Sequence, residues 1–218
     1  MTASQLEKAI TSKTKIVYIA NANNPTGTYI NNQELHFLIE NIPQNIIIIM
    51  DEAYYEYSAS IVDDYPNSIK LFAPNVITLR TFSKAYGMAG LRVGFCIAQP
   101  DVIETLNKVA LTFGVTNLAE EAGLAALDHE AELMARINTL VEERTRVVNE
   151  LTKQGWKIPT ADGNFIWLDL KEKAADFATK CDEVGLSVRM FANDGVRITI
   201  AEKTANERLI EVALKFRD

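Results

Sequence analysis

Ile46-Ile47-Ile48-Ile49-Met50-Asp51 is the stretch on which the fold turns. Five apolar residues follow one another without alternation, and the run stops at a carboxylate. A strand with one wet face alternates apolar and polar side chains. An unbroken run suits a strand covered on both faces, as in parallel sheets. Upstream, Ile16 to Ala20 is a short β-branched run closing in the turn-rich Asn21-Ala22-Asn23-Asn24-Pro25-Thr26-Gly27. Between the two, Asn31 and Asn32 are candidate N-caps for a helix through Ile39, with Leu35, Leu38 and Ile39 at helical spacing. Downstream, Val76 to Leu79 reads as a strand ending just before Thr81, and Arg92 to Ile97 as another. This βαβ order implies an α/β fold with helices on both faces of the sheet. Ligands of such sheets gather at the carboxyl ends of the strands, and Asn24, Asp51 and Lys84 all follow strand ends.

The second half changes character. Pro100-Asp101 opens a helix, Leu118 to Asp128 reads as an alanine-rich one, and Glu130 to Gln154 as a long one. The long helix carries an apolar stripe of Leu133, Ile137, Leu140, Val141, Val147, Val148 and Leu151, and Gly155 is its natural cap. A strand from Asn164 to Leu170, a helix from Ala174 to Val184, strands near Ser187 to Met190 and Val196 to Ile200, and a last helix from Thr204 to Phe216 follow. The expected division is a large domain over 1–128, a linking helix over 129–154 and a small α+β domain over 155–218.

Composition narrows the function classes. The chain has 218 residues, a net charge of −7 and 48% hydrophobic residues, ordinary for a globular protein and unfavourable for a nucleic-acid partner. Cys96 and Cys181 read as buried, reduced thiols. His36 and His129 stand alone, which leaves little material for a metal site or a histidine triad, and no metal is expected. Met1-Thr2-Ala3-Ser4 runs directly into polar Gln5-Leu6-Glu7-Lys8, and the run Ile46 to Met50 is too short for a bilayer. The reading is a cytoplasmic protein with no membrane partner.

Four features carry chemistry. Asn24-Pro25-Thr26-Gly27 is a tight turn after a strand, built from ordinary turn residues. Asp51-Glu52-Ala53-Tyr54 places a carboxylate at a buried strand end, where it needs a cation or hydrogen-bond donors; a structural salt bridge also meets that need. Lys84 in Thr81-Phe82-Ser83-Lys84 reads either as an amine activated by its surroundings or as a solvated loop lysine. The hydroxyls of Thr81 and Ser83 and the guanidinium of Arg92 are suitable phosphate donors. In Val196-Arg197-Ile198-Thr199-Ile200 an arginine among apolar strand residues calls for an anion, from a ligand or from a structural acid, and Arg189 raises the same question.

In that order, Asn-Asn-Pro-Thr-Gly, Asp-Glu-Ala-Tyr, Thr-Phe-Ser-Lys-Ala-Tyr-Gly-Met-Ala-Gly-Leu-Arg-Val-Gly and Val-Arg-Ile-Thr-Ile resemble the fold-type I aminotransferases that depend on pyridoxal 5'-phosphate. The nearest likeness is to the histidinol-phosphate aminotransferase class. The tracts Phe113 to Ala119, Asn164 to Leu168 and Asp194 to Arg197 look more like its aromatic, phenylalanine-type branch. The resemblance implies that residues 1–128 are part of the large cofactor-binding domain, with a mostly parallel sheet. It implies that Lys84 carries pyridoxal phosphate as a Schiff base and that Asp51 pairs with the pyridine nitrogen. Asn24 and Tyr54 would bond the phenolic O3′, and Thr81, Ser83 and Arg92 would hold the phosphate. Arg197 would grip the substrate α-carboxylate, and Arg189 the substrate side chain or a phosphate on it. The implied reaction moves an amino group from an aromatic amino acid to a 2-oxo acid such as 2-oxoglutarate, in a homodimer. Histidinol phosphate is the alternative donor, and a non-catalytic cofactor-binding module or inactive fragment the further alternative. Only Met1 to Lys15 precede the Asn-Pro-Thr-Gly strand, so the resemblance leads one to expect that the family's amino-terminal portion is missing. With it would go a small-residue loop on the phosphate, a ring stacked on the pyridine and a tyrosine reaching the partner subunit.

Overall fold

The structure, a computed structural model, describes residues 2–60, 62–71 and 73–217. They fall into two compact units. The first holds the residues up to Ala22 with Tyr29–Met134, and the second Asn23–Thr28 with the residues from Ala135 onward.

In chain order the first unit contains α1 (Ala3–Lys8), β1 (Ile16–Ala20), α2 (Asn32–Asn41), β2 (Ile47–Asp51), α3 (Tyr55–Ala59), β3 (Val76–Thr81), β4 (Gly94–Ile97), α4 (Pro100–Asn107) and α5 (Asn117–Asp128). Its sheet has the order β1-β2-β3-β4, with the first two pairings parallel and the third antiparallel. The mostly parallel sheet expected from the βαβ order is therefore present. Helix α2 begins where its capping residues dictate. The Asn31 side chain accepts from the Glu34 amide at 2.9 Å, and the Glu34 carboxylate accepts from the Asn31 amide at 3.2 Å. The two bonds close a capping box. Leu35 and Leu38 of α2 and Ala3 of α1 bury against Val17, Ile19, Ile48 and Met50.

Strand β2 departs from its expected burial on both faces. Ile48 and Met50 are fully buried, whereas Ile47, Ile49 and Asp51 are only half-buried. On β1, Ile16 and Tyr18 are each 56% exposed, while Val17 and Ile19 are buried. Helices α1 and α2 close one face, and the face that carries Asp51 stays partly open. An apolar run is thus compatible with a strand half-covered on one side. Of the two thiols expected to be buried, Cys181 is, with burial pushing it up to about 11, but Cys96 on β4 is only half-buried.

The second unit contains β5 (Phe165–Leu168), α7 (Ala174–Asp182), β6 (Arg189–Phe191), β7 (Gly195–Thr199) and α8 (Lys203–Arg217). Helix α6 (Glu130–Lys153) begins in the first unit and continues into the second from Ala135. An antiparallel sheet ordered β5-β7-β6 packs its Ile166, Leu168, Val196 and Ile198 with Val147 and Leu151 of α6, Phe177 of α7 and Leu209 of α8. This is the small α+β arrangement expected of the carboxyl-terminal part. Among the described residues no helix is long and apolar enough to cross a membrane.

One buried ion pair ties the first unit together beneath β2 and β3. Glu52 is fully buried, and its carboxylate accepts from Arg80 Nε at 2.8 Å and from the Ser68 amide at 2.9 Å. The Arg80 guanidinium lies 3.4 Å from the centre of the Tyr55 ring. Removing one partner leaves a buried charge uncompensated. Arg80→Met is therefore expected to cost about 3–5 kcal/mol in urea unfolding. The double variant Glu52→Gln with Arg80→Met should recover part of that loss; a double variant less stable than the single would contradict this account.

Candidate active site

The first unit carries a cavity of about 360 Å³ at the carboxyl ends of β2 and β3. Asp51, Thr81, Ser83, Lys84 and Arg92, all candidates from the sequence, line it together with Arg80. Strand alternation separates the two adjacent carboxylates. Asp51 ends β2 on the half-open face, and Glu52, one residue on, turns to the opposite face, where Arg80 meets it.

Asp51 has no ion-pair partner among the described residues. Its carboxylate accepts instead from the Ala53 amide at 3.1 Å through Oδ1 and from the Tyr18 hydroxyl through Oδ2. The Tyr18 phenol is pushed up to about 12, by partial desolvation first and then by the hydrogen bond to Asp51 and its negative charge.

Beyond β3 the chain turns on its own side chains. Thr81 Oγ1 accepts from the Ser83 amide at 3.0 Å, and the Gly87 amide donates to the Lys84 carbonyl at 3.0 Å, with Gly87 at φ +70. Lys84 is exposed, and its Nζ lies 5.4 Å from the ring centre of buried Tyr54. Arg92 does not begin a strand as the sequence suggests. It caps the short 3-10 turn Ala89–Leu91 in the left-handed region, φ 56, and donates to the Ala89 carbonyl at 2.8 Å. Regular pairing resumes at Gly94, where a Cβ would sit 2.8 Å from the Arg80 carbonyl oxygen. The approach of β4 to β3 therefore requires glycine.

Asn24, Arg189 and Arg197 belong to the second unit. Arg197 Nη1 donates to Asn24 Oδ1 at 2.9 Å, and its Nε is buried without a hydrogen-bond partner among the described residues. In the sheet Arg197 stands opposite Trp167 on one side and Arg189 on the other. Two like charges directly opposite repel, and an anion between them relieves the repulsion. The loop bearing Asn24 is held by the bond from the Asp162 amide to the Gly27 carbonyl, 3.1 Å. Gly27 has φ +77, and a Cβ there would meet the Thr160 carbonyl oxygen at 3.0 Å.

Residues 1–213 match the family described as aminotransferase class I and II. The chain belongs to that family. An aromatic amino acid aminotransferase of Streptomyces avermitilis is 44% identical over 211 residues, covering 96% of this chain and 58% of that protein. Another, of Thermobifida fusca, is 42% identical over 215 residues, covering 97% and 59%. Among solved structures, a histidinol-phosphate aminotransferase from Sinorhizobium meliloti, in complex with pyridoxal-5'-phosphate, superposes with a TM-score of 0.79 at 27% identity, covering 92% of this chain and 56% of that one. This aminotransferase-family chain thus spans under two thirds of the length of the curated relatives it matches.

Class I and II aminotransferases depend on pyridoxal phosphate, and the donor set of the first-unit cavity fits that group. A carboxylate with no ion-pair partner among the described residues, an exposed primary amine, two hydroxyls and a guanidinium suit a protonated ring nitrogen, an aldehyde and a phosphate in turn.

Three features escaped the sequence reading. Glu52 and Arg80 are adjacent to residues that were singled out, but only the register reveals that they meet. Tyr18 lies on the same face as Asp51, two residues back along the β1–β2 register, and the alternation of β1 could have placed it there. Arg144 interrupts the apolar stripe of α6 and is buried, donating through Nη1 to the Gly163 carbonyl. An arginine inside such a stripe was the available signal. Near it Asp162 is buried, and burial pushes its carboxyl from 3.8 up to about 6, against the opposing pull of Arg144. A raised folded-state value means full stabilisation below the unfolded value, lost as pH rises through the folded one. The second unit should lose about 2 kcal/mol between roughly pH 4 and pH 6, and about 3 kcal/mol in all once the pH is well above 6. Both tryptophans, Trp156 and Trp167, lie in that unit, so tryptophan fluorescence during unfolding reports it. Asp162→Asn should flatten the slope; an unchanged slope would rule out Asp162 as its origin.

Proposed function

We propose that this chain carries the catalytic machinery of a pyridoxal-phosphate-dependent aminotransferase that moves an amino group from an aromatic amino acid to a 2-oxo acid such as 2-oxoglutarate. The observation that carries the reading is the first-unit cavity, which gathers Asp51, Lys84, Thr81, Ser83 and Arg92 around one space. When bound, pyridoxal phosphate supplies an electron sink for the carbanion left at the substrate α-carbon. Asp51 keeps the ring nitrogen protonated, which makes that sink effective. Lys84, whose primary amine lines the cavity, would hold the cofactor through Nζ and would serve as the base and acid for the proton at the substrate α-carbon. Thr81, Ser83 and Arg92 bind the phosphate, and Tyr54 donates to the phenolic oxygen.

In the second unit Arg197 is the carboxylate-binding residue. Its Nε, buried without a partner among the described residues, and its Nη1, oriented by Asn24, support a forked grip on a carboxylate. Arg189, opposite it, is the candidate for a second anionic group. Relatives at 42–44% identity named for aromatic amino acids support the aromatic donor. The solved histidinol-phosphate aminotransferase supports histidinol phosphate as the second reading. A cytoplasmic homodimer belongs to the same proposal, and exposed Leu111 and Phe113 suit burial by another subunit.

Absorbance after addition of pyridoxal phosphate tests the anchor. The unchanged chain should develop the long-wavelength band of pyridoxal phosphate condensed with an amine, and Lys84→Ala should lose it. An equally strong band in the variant would remove Lys84 from the role. With 2-oxoglutarate as acceptor, phenylalanine or tyrosine should yield glutamate at least about tenfold faster than histidinol phosphate, a difference of roughly 1.4 kcal/mol in barrier. The reverse order would select the second reading. Glutamate from neither donor would leave a cofactor-binding chain without turnover.

A further inference from the structure

Tyr18 has no role in the chemistry above, yet its hydroxyl donates to the carboxylate on which that chemistry depends. The geometry that brings it there is set by the sheet. Tyr18 pairs with Ile49 and Ala20 with Asp51, so the Tyr18 ring lies on the Asp51 face and runs toward the strand end. Core packing does not explain the residue, because Tyr18 is 56% exposed while its neighbours Val17 and Ile19 are buried. Strand propensity does not explain it either, since phenylalanine or isoleucine would serve as well. What distinguishes tyrosine here is the hydroxyl.

Two donors reach Asp51 through different oxygens, the Ala53 amide on Oδ1 and the Tyr18 hydroxyl on Oδ2. An aspartate carboxylate otherwise rotates broadly about its last bond, and donors on both oxygens fix its plane. A carboxylate accepts more bonds than these two, so pairing with a cationic ring nitrogen remains open to it. An acceptor already held in place loses less freedom on pairing, which strengthens the pair.

We propose that Tyr18 is a positioning residue that holds the Asp51 carboxylate for the ring nitrogen of pyridoxal phosphate. The proposal rests on the cofactor reading given above and adds a residue that acts only through Asp51. Because the phenol is pushed up to about 12, it stays a donor throughout the working range of such an enzyme.

The first measurement needs no cofactor. Tyrosine ring-carbon NMR, with Tyr18→Phe identifying the Tyr18 signal, follows ionisation of the phenol in the unchanged chain and in Asp51→Asn. The Tyr18 midpoint should move down from about 12 when the carboxylate charge is removed. No movement would mean that the two groups do not meet in solution and would end the proposal.

The second measurement adds pyridoxal phosphate to the unchanged chain and to Tyr18→Phe. Loss of a positioning partner is expected to weaken cofactor binding about tenfold, as for outer partners of metal ligands. It should also raise the pH at which the long-wavelength band titrates, because a less firmly paired ring nitrogen leaves the imine more basic. Thermal unfolding of the cofactor-free variant should stay close to that of the unchanged chain, which separates positioning from a folding defect. A band in both proteins with the same affinity and the same midpoint would overturn the role of Tyr18 while leaving the cofactor reading intact. No band in the unchanged chain would overturn the cofactor reading, and this proposal with it.

Discussion

Side chains on a strand alternate between two faces, and at the end of β2 that alternation divides two adjacent carboxylates. Glu52 turns into the closed face, where Arg80 and the Ser68 amide satisfy it. Asp51 turns to the half-open face, where it finds a phenol and an amide but no ion-pair partner among the described residues. A fully buried charge must be neutralised by the protein itself, whereas a half-buried one can wait for a ligand. The closed face thus consumes its charge in stability, and the open face leaves its charge available to a ligand. Because Arg80 is occupied by Glu52, the cationic groups of the cavity that remain are Lys84 and Arg92.

The second unit solves a related problem differently. Arg197 sits in the middle strand of a three-stranded sheet, where apolar neighbours on β7 leave its charge few partners. Asn24 meets it with a neutral oxygen rather than a carboxylate. A neutral partner orients the guanidinium without cancelling its charge, so its attraction for an incoming anion is kept. The loop that supplies Asn24 is in turn pinned through Gly27 to the segment around Asp162, close to where Arg144 is buried.

Much of this was readable from the residues in order. The apolar run into Asp51, the turn at Asn24 and the loop around Lys84 placed three strand ends and their functional groups, because strand ends and turns announce themselves locally. The helix cap at Asn31 was equally local. What was not readable depended on register or on the third dimension. That Ile47 and Ile49 are half-covered follows from which face the helices close, and isoleucine is tolerated on both. Arg92 reads as a strand start because its neighbours are apolar, and only its left-handed backbone reveals a turn. The pairing of Glu52 with Arg80 spans distant positions whose proximity only the β2–β3 register supplies.

Strand β1 stands at the margin of its sheet among the described residues, with Tyr18 exposed on it. An edge strand offers unpaired amides and carbonyls to any extended segment that docks beside it. A segment docking there would flank the phenol, exclude water from its bond to Asp51 and so strengthen that bond. Pairing at the margin of the sheet and the electronic state of the carboxylate are thereby coupled. The oligomeric or docked state of this chain would be felt at Asp51 as a change in how firmly its carboxylate is held.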